Sequence, residues 1–199
     1  MTRIKLCGLT RPCDIEYANE LLPEYIGFVF AEGSRRYIAP EAAAELRSGL
    51  DKRITPVGVF VNEDIAAAAD IVKRGIVDIV QLHGNESSEY IALLREAVSC
   101  PIIRALRVES EADIACANGS SADYVLLDSG GGTGTQFNHD LLGGMKRPYF
   151  LAGGLTPENV GAAAEKFAPF AVDASSSLET NGFKDKEKMA AFVKAVRKD

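Results

Sequence analysis

Tyr149-Phe150-Leu151-Ala152-Gly153-Gly154-Leu155-Thr156-Pro157-Glu158 reads as a strand, a turn and a helix start in direct succession. The first four residues are continuously apolar, as in a strand covered on both faces. Two glycines follow. Thr156, Pro157 and Glu158 then supply an N-cap, a proline at the first helical position and an acidic first turn. Val172-Asp173-Ala174-Ser175-Ser176-Ser177 does something similar one unit later, with small hydroxyl residues in place of the glycines.

Working outward, β-rich runs recur along the whole chain: Arg3–Cys7, Tyr25–Phe30, Thr55–Val61, Asp78–Leu82, Pro101–Leu106, Asp123–Leu127, Tyr149–Ala152 and Phe170–Ala174. Helical signals fill the gaps. Thr10 with Pro12 and Asp14 opens one helix, and Asn62-Glu63-Asp64 opens an Ala-rich one. Lys184–Lys198 forms a last amphipathic helix with Met189, Phe192, Val193 and Val196 on one side. Eight near-equal strand–helix units place the chain in the α/β class as a (β/α)8 barrel of the TIM type. The rival is an open doubly wound sheet, but eight units exceed what most open sheets need. No Pro/Gly/Ser linker divides residues 1–199, so a single compact domain is expected.

At 199 residues, 47% hydrophobic and 25% charged, the chain has ordinary globular composition and short loops for a barrel. A net charge of −6 argues against a sequence-independent grip on nucleic acid. It leaves room for a small anionic substrate held by a few local donors. The start, Met-Thr-Arg-Ile-Lys-Leu-Cys, is unlike a signal peptide, and the longest apolar run, Tyr25 to Ala31, is too short to span a bilayer. A cytoplasmic protein with no membrane partner is therefore expected. Cys7, Cys13, Cys100 and Cys116 form no CxxC pair, and only His83 and His139 could join them. Neither a metal site nor a disulfide framework is expected.

In such barrels the chemistry gathers at the carboxyl ends of the strands. Those positions hold Cys7, Arg35 and Arg36, Asn62, His83, Arg107, Asp128, Gly153–Gly154, Asp173 and Ser175–Ser177. Backbone N–H groups freed at the last two turns suit a phosphate; the plain alternative is a strand end and a helix cap. Gly130–Gly134 lacks the ending of a P-loop and reads either as a mobile active-site loop or as a simple connection. Cys7 reads as a small buried hydrophobe or as a working thiol. Asp128, ending Tyr-Val-Leu-Leu-Asp, is a general acid at a low-dielectric rim or a capping residue. His83 and Arg36 have equally ordinary readings as a rim residue and a surface charge.

Taken in order, the motifs carry a resemblance. Lys5-Leu6-Cys7-Gly8-Leu9-Thr10, Gly27-Phe28-Val29-Phe30, Ser34-Arg35-Arg36-Tyr37, Val57-Gly58-Val59-Phe60-Val61 and Gln81-Leu82-His83-Gly84 look like the phosphoribosylanthranilate isomerase family. So do Leu126-Leu127-Asp128, Gly131-Gly132-Thr133-Gly134, Leu151-Ala152-Gly153-Gly154-Leu155 and Val172-Asp173-Ala174-Ser175-Ser176, from residue 4 to about residue 188. The resemblance implies an Amadori rearrangement of N-(5-phosphoribosyl)anthranilate to 1-(2-carboxyphenylamino)-1-deoxyribulose 5-phosphate in tryptophan biosynthesis. It implies Cys7 as general base, Asp128 as general acid and Arg36 as partner of the anthranilate carboxylate. His83, Gly153, Gly154, Ser175, Ser176 and Ser177 would contact the phosphosugar substrate. No cofactor is needed, and monomer and homodimer are both open. Three departures stand out. Ser177 replaces the usual glycine and would resist a positive φ. His139 stands where the family has tryptophan, and Ala174 replaces valine. The rivals are a related phosphosugar isomerase or aldolase and a non-catalytic metabolite-binding barrel. The first would call for paired carboxylates or metal-binding His and Asp residues, and the second has no use for both Cys7 and Asp128.

Overall fold

Strands that are apolar on both faces must be covered on both faces, and closing the sheet into a barrel does this. The computed structural model describes residues 1–128 and 139–198. Its strands β1 (Arg3–Cys7), β2 (Tyr25–Val29), β3 (Thr55–Phe60), β4 (Ile79–Leu82), β5 (Ile102–Arg107), β6 (Tyr124–Asp128), β7 (Tyr149–Ala152) and β8 (Ala171–Ala174) form a closed barrel in chain order. All neighbours are parallel, and β8 returns to β1 with Lys5 opposite Asp173. The expected (β/α)8 barrel is the observed one, and the open sheet is set aside.

Helices α1 (Pro12–Leu21), α2 (Pro40–Ser48), α3 (Ile65–Lys73), α4 (Ser88–Ala97), α5 (Glu111–Asn118), α6 (Val160–Phe167) and α7 (Lys186–Arg197) surround it. Between β6 and β7 the described residues hold a 3-10 helix, His139–Gly144. A second, Ser176–Leu178, leads into a short ribbon of β9 (Glu179–Thr180) and β10 (Phe183–Lys184). The Gly130–Gly134 expectation lies outside the described residues.

Two apolar layers hold the structure. Val57, Ile79, Ile103, Leu126, Phe150 and Ala171 fill the barrel interior, plugged at the amino end by Tyr25, Tyr124 and Phe170. The larger layer lies between strands and helices. There α7 buries Met189, Phe192, Val193 and Val196, the stripe read from the sequence. A fully buried side chain of this size contributes about 1.5–3 kcal/mol.

Several helix starts differ from expectation, for local reasons. Asp64 itself caps α3, accepting the Ala66 and Ala67 N–H groups. Asp14 reaches back to the N–H groups of Thr10 and Arg11, so α1 begins at Pro12 without Thr10 as its cap. The Asn159 side chain accepts the Thr156 N–H and donates to the Gly154 carbonyl. That local pairing competes with helix geometry and delays α6 to Val160. Asp185 caps α7, which places Lys184 outside the helix, on β10, where it is buried.

Candidate active site

All nine residues singled out as site residues line one cavity of about 340 Å³ at the carboxyl end of the barrel: Cys7, Arg36, His83, Asp128, Gly153, Gly154, Ser175, Ser176 and Ser177. Strand alternation explains the convergence. Side chains two apart share a face, so Cys7 follows Lys5 into the interior and His83 follows Gln81.

Cys7 is buried against Val29 and Val59. The strand beside it is hollowed to admit the thiol: a Cβ on Gly27 would lie 2.5 Å from Sγ. Burial pushes the Cys7 thiol above its usual range. Lys5 pulls against this, Asp173 adds to it, and Lys184 pulls down more weakly. The thiolate expected of a base is thus not the resting form. Below Cys7, Lys5 Nζ donates to Asp173 Oδ1 at 2.9 Å, both side chains being buried. Burial alone would lower Lys5, but Asp173 and Cys7 outweigh it and hold the ammonium above its usual range.

Arg36 reaches the mouth because the chain turns back after β2. Tyr37 N–H donates to the Ser34 carbonyl, and Tyr37 bridges Val29. The stem of Arg36 passes over Gly8, whose φ of +81° and lack of a Cβ both permit it. Its guanidinium does not wait unpaired. Nε and one Nη donate to the two oxygens of Glu179, at 2.5 and 2.9 Å. Lys184 Nζ joins Glu179 at 2.6 Å and also donates to the Ser175 carbonyl at 3.0 Å. Burial pushes Glu179 up, but hydrogen bonds from Arg36 and Lys184 outweigh it and hold the carboxyl below its usual range.

Across the mouth, His83 Nε2 stands 3.5 Å from Asp128 Oδ2, and its Nδ1 is 3.0 Å from Gln81 Nε2. Asp128 ends β6 and pairs in register with Arg107. Beneath the phosphate-type turns, Gly153 and Gly154 adopt φ of +83° and +65°, conformations that suit glycine. Ser175 Oγ donates to the Cys7 carbonyl and Ser177 Oγ to the Leu155 carbonyl, tying the last loop to β1 and to the β7 loop. Ser177 sits in the 3-10 turn without a positive φ, so serine in place of glycine meets no backbone strain there. The first N–H groups of such a turn have no intrahelical partner and are suited to an anion.

Sequence reasoning missed Glu179 and Lys184 as members of the site, and it did not recognise Gln81 as one. Gln81 and Lys5 carried a usable signal: each is a long polar side chain flanked on both sides by apolar residues in a strand read as buried. Glu179 and Lys184 carried none, since they lie on a two-residue ribbon too short to leave a periodic pattern.

The family model for N-(5'-phosphoribosyl)anthranilate (PRA) isomerase matches residues 4–195. An N-(5'-phosphoribosyl)anthranilate isomerase of Endomicrobium trichonymphae is 42% identical over 202 residues, covering 99% of each chain. The solved phosphoribosyl anthranilate isomerase of Thermotoga maritima superposes with a TM-score of 0.91 at 35% identity, covering 100% of both chains. Another solved structure, of the enzyme in complex with reduced 1-(o-carboxyphenylamino)-1-deoxyribulose 5-phosphate, gives 0.88 at 34% identity and covers 100% of both chains. A barrel of this topology, a mouth built from these residues and full-length similarity agree: the chain belongs to the phosphoribosylanthranilate isomerase family.

Proposed function

We propose that the chain isomerises N-(5-phosphoribosyl)anthranilate to 1-(2-carboxyphenylamino)-1-deoxyribulose 5-phosphate, a step of tryptophan biosynthesis, with Asp128 as general acid and Cys7 as general base. The observation that carries the reading is the meeting of two proton-transfer groups, from β1 and β6, in one cavity with the glycine and serine turns. The turns after β7 and β8 hold the phosphate through backbone N–H groups. Arg36 takes the anthranilate carboxylate. With Nε and one Nη given to Glu179, the guanidinium keeps its outer edge for a second carboxylate. His83 orients Asp128 and contacts the sugar.

Asp128 gives its proton to the ring oxygen as the furanose opens to an iminium. The positive charge on the iminium acidifies the neighbouring sugar C–H and favours an anion at Cys7. Sγ takes that proton, and the resulting enolamine tautomerises to the ketone. Two groups of different proton affinity suffice for this sequence. The reactive form has its proton on Asp128 and none on Cys7, so kcat/KM should fall as the pH rises through the raised Cys7 value, where Asp128 can no longer keep that proton.

Steady-state kinetics on Cys7→Ala and Asp128→Asn tests the assignment. Each should lower kcat by about 10²–10⁴, while binding of the reduced product stays within a few-fold. Near-full turnover by Cys7→Ala would overturn the mechanism.

A further inference from the structure

We propose that Lys5, held by Asp173, is the positioning residue of the general base, its buried ammonium supplying the positive charge beside which Cys7 gives up its proton. The inference rests on the reading of Cys7 as base and names what makes such a base workable in a closed interior.

The pair is costly where it stands. Lys5 is fully buried, and Asp173 is nearly as enclosed. The interior layer around them is built from Val, Ile, Leu, Phe and Ala. A buried ion pair is weak evidence for stability, because apolar residues of like volume often serve as well or better. Its position is telling. Lys5 and Cys7 are two apart on β1 and share its inward face. Barrel closure brings Asp173 of β8 into register with Lys5.

Lys5 comes from the strand of Cys7 itself, Asp173 from β8, Lys184 from β10 and Arg36 from the segment after β2; His83 and Asp128 stand across the mouth. Arg36 gives two N–H groups to Glu179, and Lys184 gives its protons to Glu179 and Ser175. Lys5 gives one proton to Asp173, and two remain. Ionising Cys7 beside Asp173 alone would bury two negative charges together. Lys5 reduces that to one, the thiolate itself helps keep Lys5 charged, and Asp173 fixes where the ammonium lies. Among the cations, Lys5 is also the one that pulls the thiol down most strongly.

The test measures the pH dependence of alkylation of Cys7 by iodoacetamide, in a chain carrying Cys13→Ser, Cys100→Ser and Cys116→Ser. Lys5→Met should move the midpoint upward by about one pH unit or more, the effect of removing a close opposite charge. The alkaline limb of kcat/KM should move with it, while reduced-product binding stays within a few-fold. Asp173→Asn, nearly isosteric, should move the midpoint down and speed alkylation at neutral pH. A purely structural pair would not produce shifts of opposite sign. A midpoint that is unchanged or lower in Lys5→Met overturns the proposal. Should that variant fail to fold, an unchanged or raised midpoint in Asp173→Asn does the same. Failure of the base reading is seen separately: Cys7→Ala would retain turnover whatever the alkylation midpoints show.

Discussion

Gly27→Ala is the smallest change that should disable the site without touching a charged group. Gly27 lies opposite Cys7 in the β1–β2 ladder, and an added Cβ would come within 2.5 Å of Sγ and 3.2 Å of the Cys7 Cα. Ordinary contact begins at 3.4 Å, so the thiol must retreat by roughly 1 Å, and the nearby backbone limits how it can do so. Overpacking of this kind costs about 1–3 kcal/mol of stability. A misplacement of about 1 Å costs about 10²-fold in rate, or about 2.7 kcal/mol of barrel-mouth geometry. We therefore expect kcat to fall by about two orders of magnitude. The dissociation constant of the reduced product should stay within a few-fold, because Arg36 and the turns after β7 and β8 are untouched. Steady-state kinetics, titration calorimetry and thermal unfolding separate the three effects. Gly49→Ala is the control, since its Cβ would meet nothing nearer than 3.8 Å. Wild-type kcat in Gly27→Ala, in a folded protein, would show that the placement of Sγ does not limit the reaction, and the case for Cys7 would fall.

Arg36→Ala should weaken reduced-product binding by about 1.5–3 kcal/mol, the worth of a charged hydrogen bond, and Arg36→Lys should recover only part of it. Equal affinity of wild type and Arg36→Ala by calorimetry would remove Arg36 from carboxylate recognition. Glu179 is held below its ordinary carboxyl value of 4.5, so its pairing stabilises the fold above that pH and loses this effect as the pH falls through the folded value. The stability advantage of wild type over Glu179→Gln in urea should thus be full at neutral pH and shrink in acid; an advantage that grows in acid would refute the sign. Phe192, fully buried on the inner face of α7, should cost about 3–5 kcal/mol when truncated to alanine. A loss under 1 kcal/mol in chemical denaturation would mean that α7 is not docked as described.

Much of the barrel was legible in the chain because its signals are local. A strand buried on both faces is apolar at every position, and Tyr149–Ala152 satisfies that rule without reference to any neighbour. The strand-end residues were legible for the same reason: Asp128 and the Gly153–Gly154 turn each close an apolar run, Cys7 closes a mixed one, and the fold class alone says that such ends face a common mouth. The buried stripe of α7 follows from a period of 3.6. Tertiary structure decided what those residues touch. Lys5 finds Asp173 across 168 positions and Arg36 finds Glu179 across 143. Neither pairing has a local signature, because each exists only once β8 has closed on β1 and the ribbon after it has folded over the rim. The start of α6 was misplaced by a related effect on a shorter scale. Thr156 and Pro157 carry sound helix signals, and the Asn159 side chain outcompetes them by taking the Thr156 N–H and the Gly154 carbonyl. Local pattern specifies which face of an element is buried; barrel closure specifies the partners of a charge, and with them the proton affinity of Cys7.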